Sequence, residues 1–211
     1  MSIQRPIQPA LIKPVHLNTP YIETKRLILR KMTEEDLQAV FMIYKDQDVN
    51  EFLPWFPLRT LEEAKILLEN KYLKAYQLPR GYMYAICLKS DNIPIGYVHI
   101  EMDESHDLGY GLRKEFWHQG ITTEAVQAVL KQAQEDGLPY VTATHDINNI
   151  NSGKVMKKLQ LNYQYSYEEL WQPKNKMVTF RMYQLNLDGN QKRVYKKYWD
   201  MYPNHYIEEN I

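Results

Sequence analysis

The period of the apolar positions changes several times along the chain, and each change marks an element. Leu27 and Leu29 alternate with Arg26, Ile28 and Arg30 in RLILR (26–30), a two-residue period that predicts a strand. After Thr33 come Glu34, Glu35 and Asp36, then Leu37, Val40, Phe41 and Tyr44 at helical spacing. Acidic residues ahead of such spacing suit a helix N-terminus. Pro54 and Pro57 break NEFLPWFPLRT (50–60) into a loop, whose aromatics either line a pocket or fill core. Thr60 and Glu63 form a capping box for a second helix carrying Ala64, Leu67, Leu68 and Tyr72. YMYAICLK (82–89), IPIGYVHIEM (93–102) and HDLGYGLR (106–113) predict a three-stranded meander. Val126, Val129, Leu130 and Ala133 predict a helix over 121–136, ended by Gly137 as a left-handed cap with Pro139 beyond it. A strand (140–146) follows, then a helix opened by Asn149 or Ser152 with Val155 and Leu159 inward, then a hairpin (163–171 and 177–187). This order implies an α/β (α+β) fold, a mixed, mainly antiparallel central sheet flanked by helices.

The two ends read differently from the middle. Pro6, Pro9, Pro14 and Pro20 make residues 1–20 an extended arm ahead of a domain at 21–187. Residues 188–211 form an aromatic helical tail, with Tyr195, Tyr198, Trp199 and Tyr202 at helical spacing. Such a stripe buries itself, on its own domain or on a second subunit, so a monomer or a homodimer is expected.

Composition narrows the function classes. In 211 residues, Lys+Arg and Asp+Glu both number 26, which argues against a sequence-blind nucleic-acid binder. The single cysteine, Cys87, cannot close an internal disulfide, which suits a reducing cytoplasm. The proline-rich start lacks the apolar core of a signal peptide, and no apolar run nears the ~20 residues of a membrane span, so a cytoplasmic chain without membrane contact is expected. None of the six histidines shows metal-ligand spacing with Cys or a carboxylate, so no metal is expected.

One short stretch carries candidate chemistry. In FWHQGITTEAV (116–126), Gly120 sits where a strand turns into a helix. Backbone amides there lack intrahelical partners and, with the helix dipole, form an anion site whose usual guest is phosphate. Glycine lets that backbone approach a ligand closely, and Thr122 and Thr123 add hydroxyls. Walker and dinucleotide glycine patterns are absent. A glycine in a turn that binds nothing is the alternative.

LGYGLRKEFWHQGITTEAV resembles the acetyl-CoA loop of the GNAT N-acetyltransferase superfamily, in particular the branch of ribosomal-protein N-terminal acetyltransferases. Gly109, Tyr110, Leu112, Trp117, Gly120, Thr123, Glu124 and Ala125 carry the match. TKRLILRKMTEEDL (24–37) resembles that branch's start, and NINSGKVMKKLQLNY (149–163) its second motif through Asn149, Ser152, Val155, Lys158 and Leu159. His118 stands where the first loop glycine is usual, and Thr122 where Gly or Ala is usual. Gln160 and Leu161 replace a Gly-Phe pair, and Met156 replaces a tyrosine that protonates the thiolate in many members.

The resemblance implies an acetyl-CoA-dependent N-acetyltransferase. Its acceptor would be a primary amine, a peptide N-terminus or a small amine, attacking directly in a ternary complex. A non-catalytic acyl-CoA-binding or protein-interaction module is the alternative. Acetyl-CoA would lie between the strands at 108–113 and 140–146, touching Leu112, with its pyrophosphate on Trp117, His118, Gln119, Gly120, Ile121, Thr122 and Thr123. Asn149 would hold the pantetheine arm, and Lys154, Lys157 or Lys158 would either reach the 3′-phosphate or form a solvated face. Ser152 is the candidate acid or thiol-orienting group, with first-turn capping as its other role. The general base stays open among Asp107, Glu101, Glu168 and Glu169, while Glu124 braces the loop or complements the helix dipole.

Overall fold

The computed structural model describes residues 17–209 and residue 211, so most of the arm expected at 1–20 lies outside the described residues. β1 (Ile22–Glu23), β2 (Leu27–Arg30), β3 (Tyr82–Leu88), β4 (Pro94–Ile100) and β5 (Leu108–Leu112) form one antiparallel sheet in that order. Two helices, α1 (Leu37–Tyr44) and α2 (Leu61–Leu67), separate β2 from β3. Then come α3 (Ile121–Glu135), β6 (Tyr140–Asp146), α4 (Ile150–Lys158), β7 (Asn162–Trp171), β8 (Lys176–Asn186), α5 (Lys197–Met201) and β9 (His205–Tyr206). The second sheet runs β6-β8-β7-β9.

β3 shows why the chain folds this way. Its run is apolar at every position because both faces are covered. Tyr82, Tyr84 and Ile86 face the core under α3 and α4. Met83, Ala85 and Cys87 face a second core under α1 and α2. Burial pushes the Cys87 thiol up to about 12, so this cysteine is a core residue.

The two sheets touch at one point. Asp107 and Thr142 form a single parallel bridge, which the Thr142 Oγ1–Ser105 O hydrogen bond (2.9 Å) reinforces. Beyond it, β5 and β6 share no ladder among the described residues, and the strands fork apart.

Several local expectations need correction. Asn149 Oδ1 accepts from Ser152 N–H at 3.2 Å, so Asn149 caps α4 and Ser152 does not. Thr60 caps α2, but the Glu63 carboxylate returns to the amide of Arg59. α2 continues as a wider π turn over Leu68–Leu73. The tail is not one helix. It is the five-residue α5 followed by β9, which pairs with β7. Its rings pack on the same chain, Trp199 edge-on to Tyr165 and Tyr202 stacked on Tyr167 at 4.9 Å.

Candidate functional site

Two clefts open on the fork and meet inside it. The first, about 530 Å³, is lined by β5, the loop at 116–123 and the start of α4. The second, about 450 Å³, lies between β4, β5, β7 and the tail. They share Phe52, Leu53, Tyr110, Asn149 and Ser152.

The first cleft is rimmed by backbone. Gly120 adopts φ 73° at the N-cap of α3, a conformation that favours glycine, and the space where a Cβ would sit is nearly open. The first helical bond runs from Glu124 N–H to Gly120 O (3.1 Å), so the amides of Ile121, Thr122 and Thr123 have no acceptor among the described residues. His118, at a usual glycine position, takes φ 60°, and Gln160 does the same at 62°. Both substitutions keep the left-handed backbone that glycine supplies. The Trp117 indole donates to Leu112 O at 2.6 Å, which ties the loop to β5. Glu124 accepts from the Thr24 hydroxyl (2.7 Å), the Arg26 amide (2.9 Å) and Arg26 Nε (2.6 Å). That carboxylate therefore braces the turn, and these donors hold its pKa below the ordinary value against partial burial.

Of the residues expected around the donor, Leu112, Trp117, His118, Gly120, Ile121, Thr122, Thr123, Asn149 and Ser152 line this cleft. Gln119 does not. Its carbonyl accepts from Arg26 Nη1 (2.8 Å) and its side chain turns back to Glu115 O. Lys154 and Lys158 line the cleft and Lys157 does not.

The second cleft is rimmed by aromatic rings and carboxylates. β5 carries glycines because Tyr97 and His99 lie across it from β4. A Cβ on Gly109 would stand 2.3 Å from the His99 ring, and one on Gly111 2.5 Å from Tyr97. Asp107 opens β5 at the fork. It is half-buried, and its Oδ1 is buried with no partner. Burial, reinforced by the Glu101 and Asp103 carboxylates, raises its pKa to about 7. Burial lowers His99 well below its ordinary value, with Lys71 adding to the effect, so its imidazole is neutral. Lys71, on the π turn, is itself lowered by burial and sits over the Trp55 and Tyr97 rings at 4.7 and 5.5 Å.

The candidate bases separate here. Asp107 and Glu101 both line the acceptor-side cleft. Glu168 does not. Its carboxylate accepts from Asn204 Nδ2 at 3.0 Å on the other face of β7. Glu169 lines the cleft with Tyr167 and Trp171, as strand alternation requires. At the junction, the Tyr110 hydroxyl lies 3.0 Å from Ser152 Oγ. Met156 is buried beside them and carries no proton to give. Tyr110, His99, Lys71, Tyr198 and Tyr202 were not singled out as site residues from the sequence. For Tyr110 a signal existed, since it lies between two glycines in the motif itself.

Free amides on one side, carboxylates on the other and a hydroxyl pair between them define a group-transfer enzyme, on this fold an acyltransferase. The chain belongs to the acetyltransferase (GNAT) domain family, whose profile matches residues 26–162. It is 25% identical over 145 residues to YoaA of Bacillus subtilis (strain 168), an uncharacterised N-acetyltransferase, spanning 66% of this chain and 81% of that protein. Its fold is similar to that of a GNAT-family acetyltransferase from Bacillus anthracis, with TM-score 0.69, 22% identity, and 80% of this chain and 99% of that one covered. It is also similar to RimL, a ribosomal alpha-N-protein acetyltransferase in complex with coenzyme A, with TM-score 0.71, 20% identity and the same coverage of 80% and 99%. Among the described residues, no helix is long and apolar enough to cross a membrane.

Proposed function

We propose that the protein transfers an acetyl group from acetyl-CoA to a primary amine by direct attack, with Asp107 as the general base. Asp107 carries this reading, because its orphaned carboxylate oxygen stands at the fork, in the cleft opposite the free amides. A group poised near 7 takes up a proton at neutral pH and releases it again.

The donor cleft fits the cosubstrate. The open space at Gly120 and the unpaired amides suit a diphosphate, and Lys154 and Lys158 are the cations available to a 3′-phosphate. Asn149 caps α4 through its Oδ1, and its Nδ2 is the donor it offers to a pantetheine carbonyl. Bound there, acetyl-CoA supplies an acetyl thioester. The chain's own groups do the rest. Asp107 accepts the proton that the acceptor's ammonium must lose. The Tyr110–Ser152 hydroxyl pair holds a proton where the clefts meet, and burial, which raises the Tyr110 phenol, keeps that proton in place. In sum an N–C bond forms and a C–S bond breaks. The acceptor nitrogen loses two protons, one to Asp107 before attack and one from the tetrahedral adduct. The hydroxyl pair gives one to the thiolate and is then reprotonated, and one proton is released to solvent.

Titration calorimetry with acetyl-CoA, followed by thiol release across a panel of amines and N-terminal peptides, tests this reading. Binding with amine-dependent thiol release is expected. Binding without release on any amine would contradict transfer.

A further inference from the structure

One wall of the acceptor cleft is built from residues beyond the family match, which ends at 162. β7 supplies Tyr167 and Glu169, and the tail supplies Tyr198 and Tyr202. Tyr202 and Tyr198 stack on Tyr167 at 4.9 and 5.2 Å, with planes 11° and 23° apart. Lys174, in the β7–β8 turn, donates to the carbonyls of Asn50 (2.9 Å) and Glu51 (2.7 Å). That ties together the two loops flanking the cleft. A paired strand, a docked tail and a bridged loop flank a cleft of about 450 Å³, a volume within the range of small-ligand sites.

The charges inside have one dominant sign. Glu101, Asp107, Asp146 and Glu169 line the cleft against the single lining cation Lys71, and His99 is neutral. Asp146 is engaged elsewhere, accepting from the Asn148 amide and side chain (both 2.8 Å) with Lys176 4.0 Å away. Lys71 acts electrostatically on Glu101 and lies on ring faces of its own. Asp107 and Glu169 are left to set the field, and both act on the Tyr167 phenol between the rings. Two carboxylates among aromatic faces form a receptor for two ammonium groups.

We propose that the acceptor is a compact aliphatic diamine, its reacting nitrogen at Asp107 and its second ammonium held by Glu169 among Tyr167, Tyr202 and Trp171. This assignment rests on the acetyl-transfer reading for its reacting end only. The tail is then a specificity element, shaping the wall that meets the second cation.

The test is binding to the full chain without acyl donor. 1,5-Diaminopentane, 1-aminopentane and a short N-terminal peptide are compared by calorimetry, then repeated on Glu169→Gln and on Tyr202→Leu. The expected result is about tenfold tighter binding of the diamine than of the monoamine, equivalent to about 1.4 kcal/mol. Glu169→Gln, nearly isosteric, should bring that ratio close to one, and Tyr202→Leu should lower diamine affinity. Equal affinity for diamine and monoamine, a preference that survives Glu169→Gln, or tighter binding of the peptide would each overturn the proposal. A diamine that binds as expected but releases no thiol from acetyl-CoA would sink the transfer reading and leave the diamine site standing. Release on monoamines or peptides, with no diamine preference, would do the reverse.

Discussion

Asp107 is where burial and chemistry oppose each other. Glu101, Asp103, Tyr110, Tyr167 and Tyr198 all act on it or feel it, and Lys71 acts on its neighbour Glu101. Its folded pKa of about 7 lies above the ordinary 3.8, so the fold prefers the protonated form. The unfolded chain releases this proton first, and stability falls as pH rises from about 4 to about 7. Asp107→Asn should therefore stabilise the protein at pH 8 by about 1–3 kcal/mol and give little gain near pH 4. Urea unfolding at the two pH values checks this, and an equal effect at both would mean that the carboxylate carries no burial penalty. Asp107 and Glu101 were legible as carboxylates at strand ends. Glu168 and Glu169 were not separable by type, only by face, and the alternation of Tyr167, Glu169 and Trp171 gives the one that lines the cleft. Tyr110 was legible as part of the motif, but its contact with Ser152, 42 positions away, was not.

The element with most consequence is the turn into α3. Arg26 and Thr24 reach it from the β1–β2 turn and clamp Glu124, so the first strand pair sets the position of the amide rim. Gly120→Glu places a side chain at φ 73° and a negative charge beside the free amides. It should weaken acetyl-CoA binding at least about a hundredfold, a loss of about 2.8 kcal/mol. Unchanged affinity by calorimetry would remove the phosphate assignment. This turn was legible because glycine, threonines and helical spacing adjoin in sequence. So were the meander and both later helices, whose apolar periods are long. The tail was legible only in part: Tyr195, Tyr198, Trp199 and Tyr202 fit a helical period and α5 forms within it, yet α5 stops at Met201 ahead of Pro203. β9 spans two residues, too few for any period to register. The π turn that carries Lys71 left no mark either, since it continues the helix with the same residue types.

At the scale of the whole molecule, the fork between the sheets creates the site, and the tail closes one side of it. The tail also holds the second sheet together. Arg181 Nε donates to Glu208 at 2.9 Å, Tyr195 N–H donates to Gln184 Oε1 at 2.8 Å, and the tail rings cover Tyr165 and Tyr167. Deleting residues 193–211 uncovers that face and should cost about 3–6 kcal/mol of stability, at about 1.5–3 kcal/mol for each large side chain exposed. Denaturant unfolding reads this directly, and unchanged stability would make the tail an appendage. The central claim is that a group near 7 at the fork takes a proton from the acceptor amine. It is tested most directly by the pH dependence of kcat/KM for thiol release, wild type against Asp107→Asn. The wild type should show an ascending limb with its midpoint near pH 7. The variant should lose that limb and fall by about 10²–10⁴-fold in rate. A variant that keeps both the limb and the rate would place the base elsewhere.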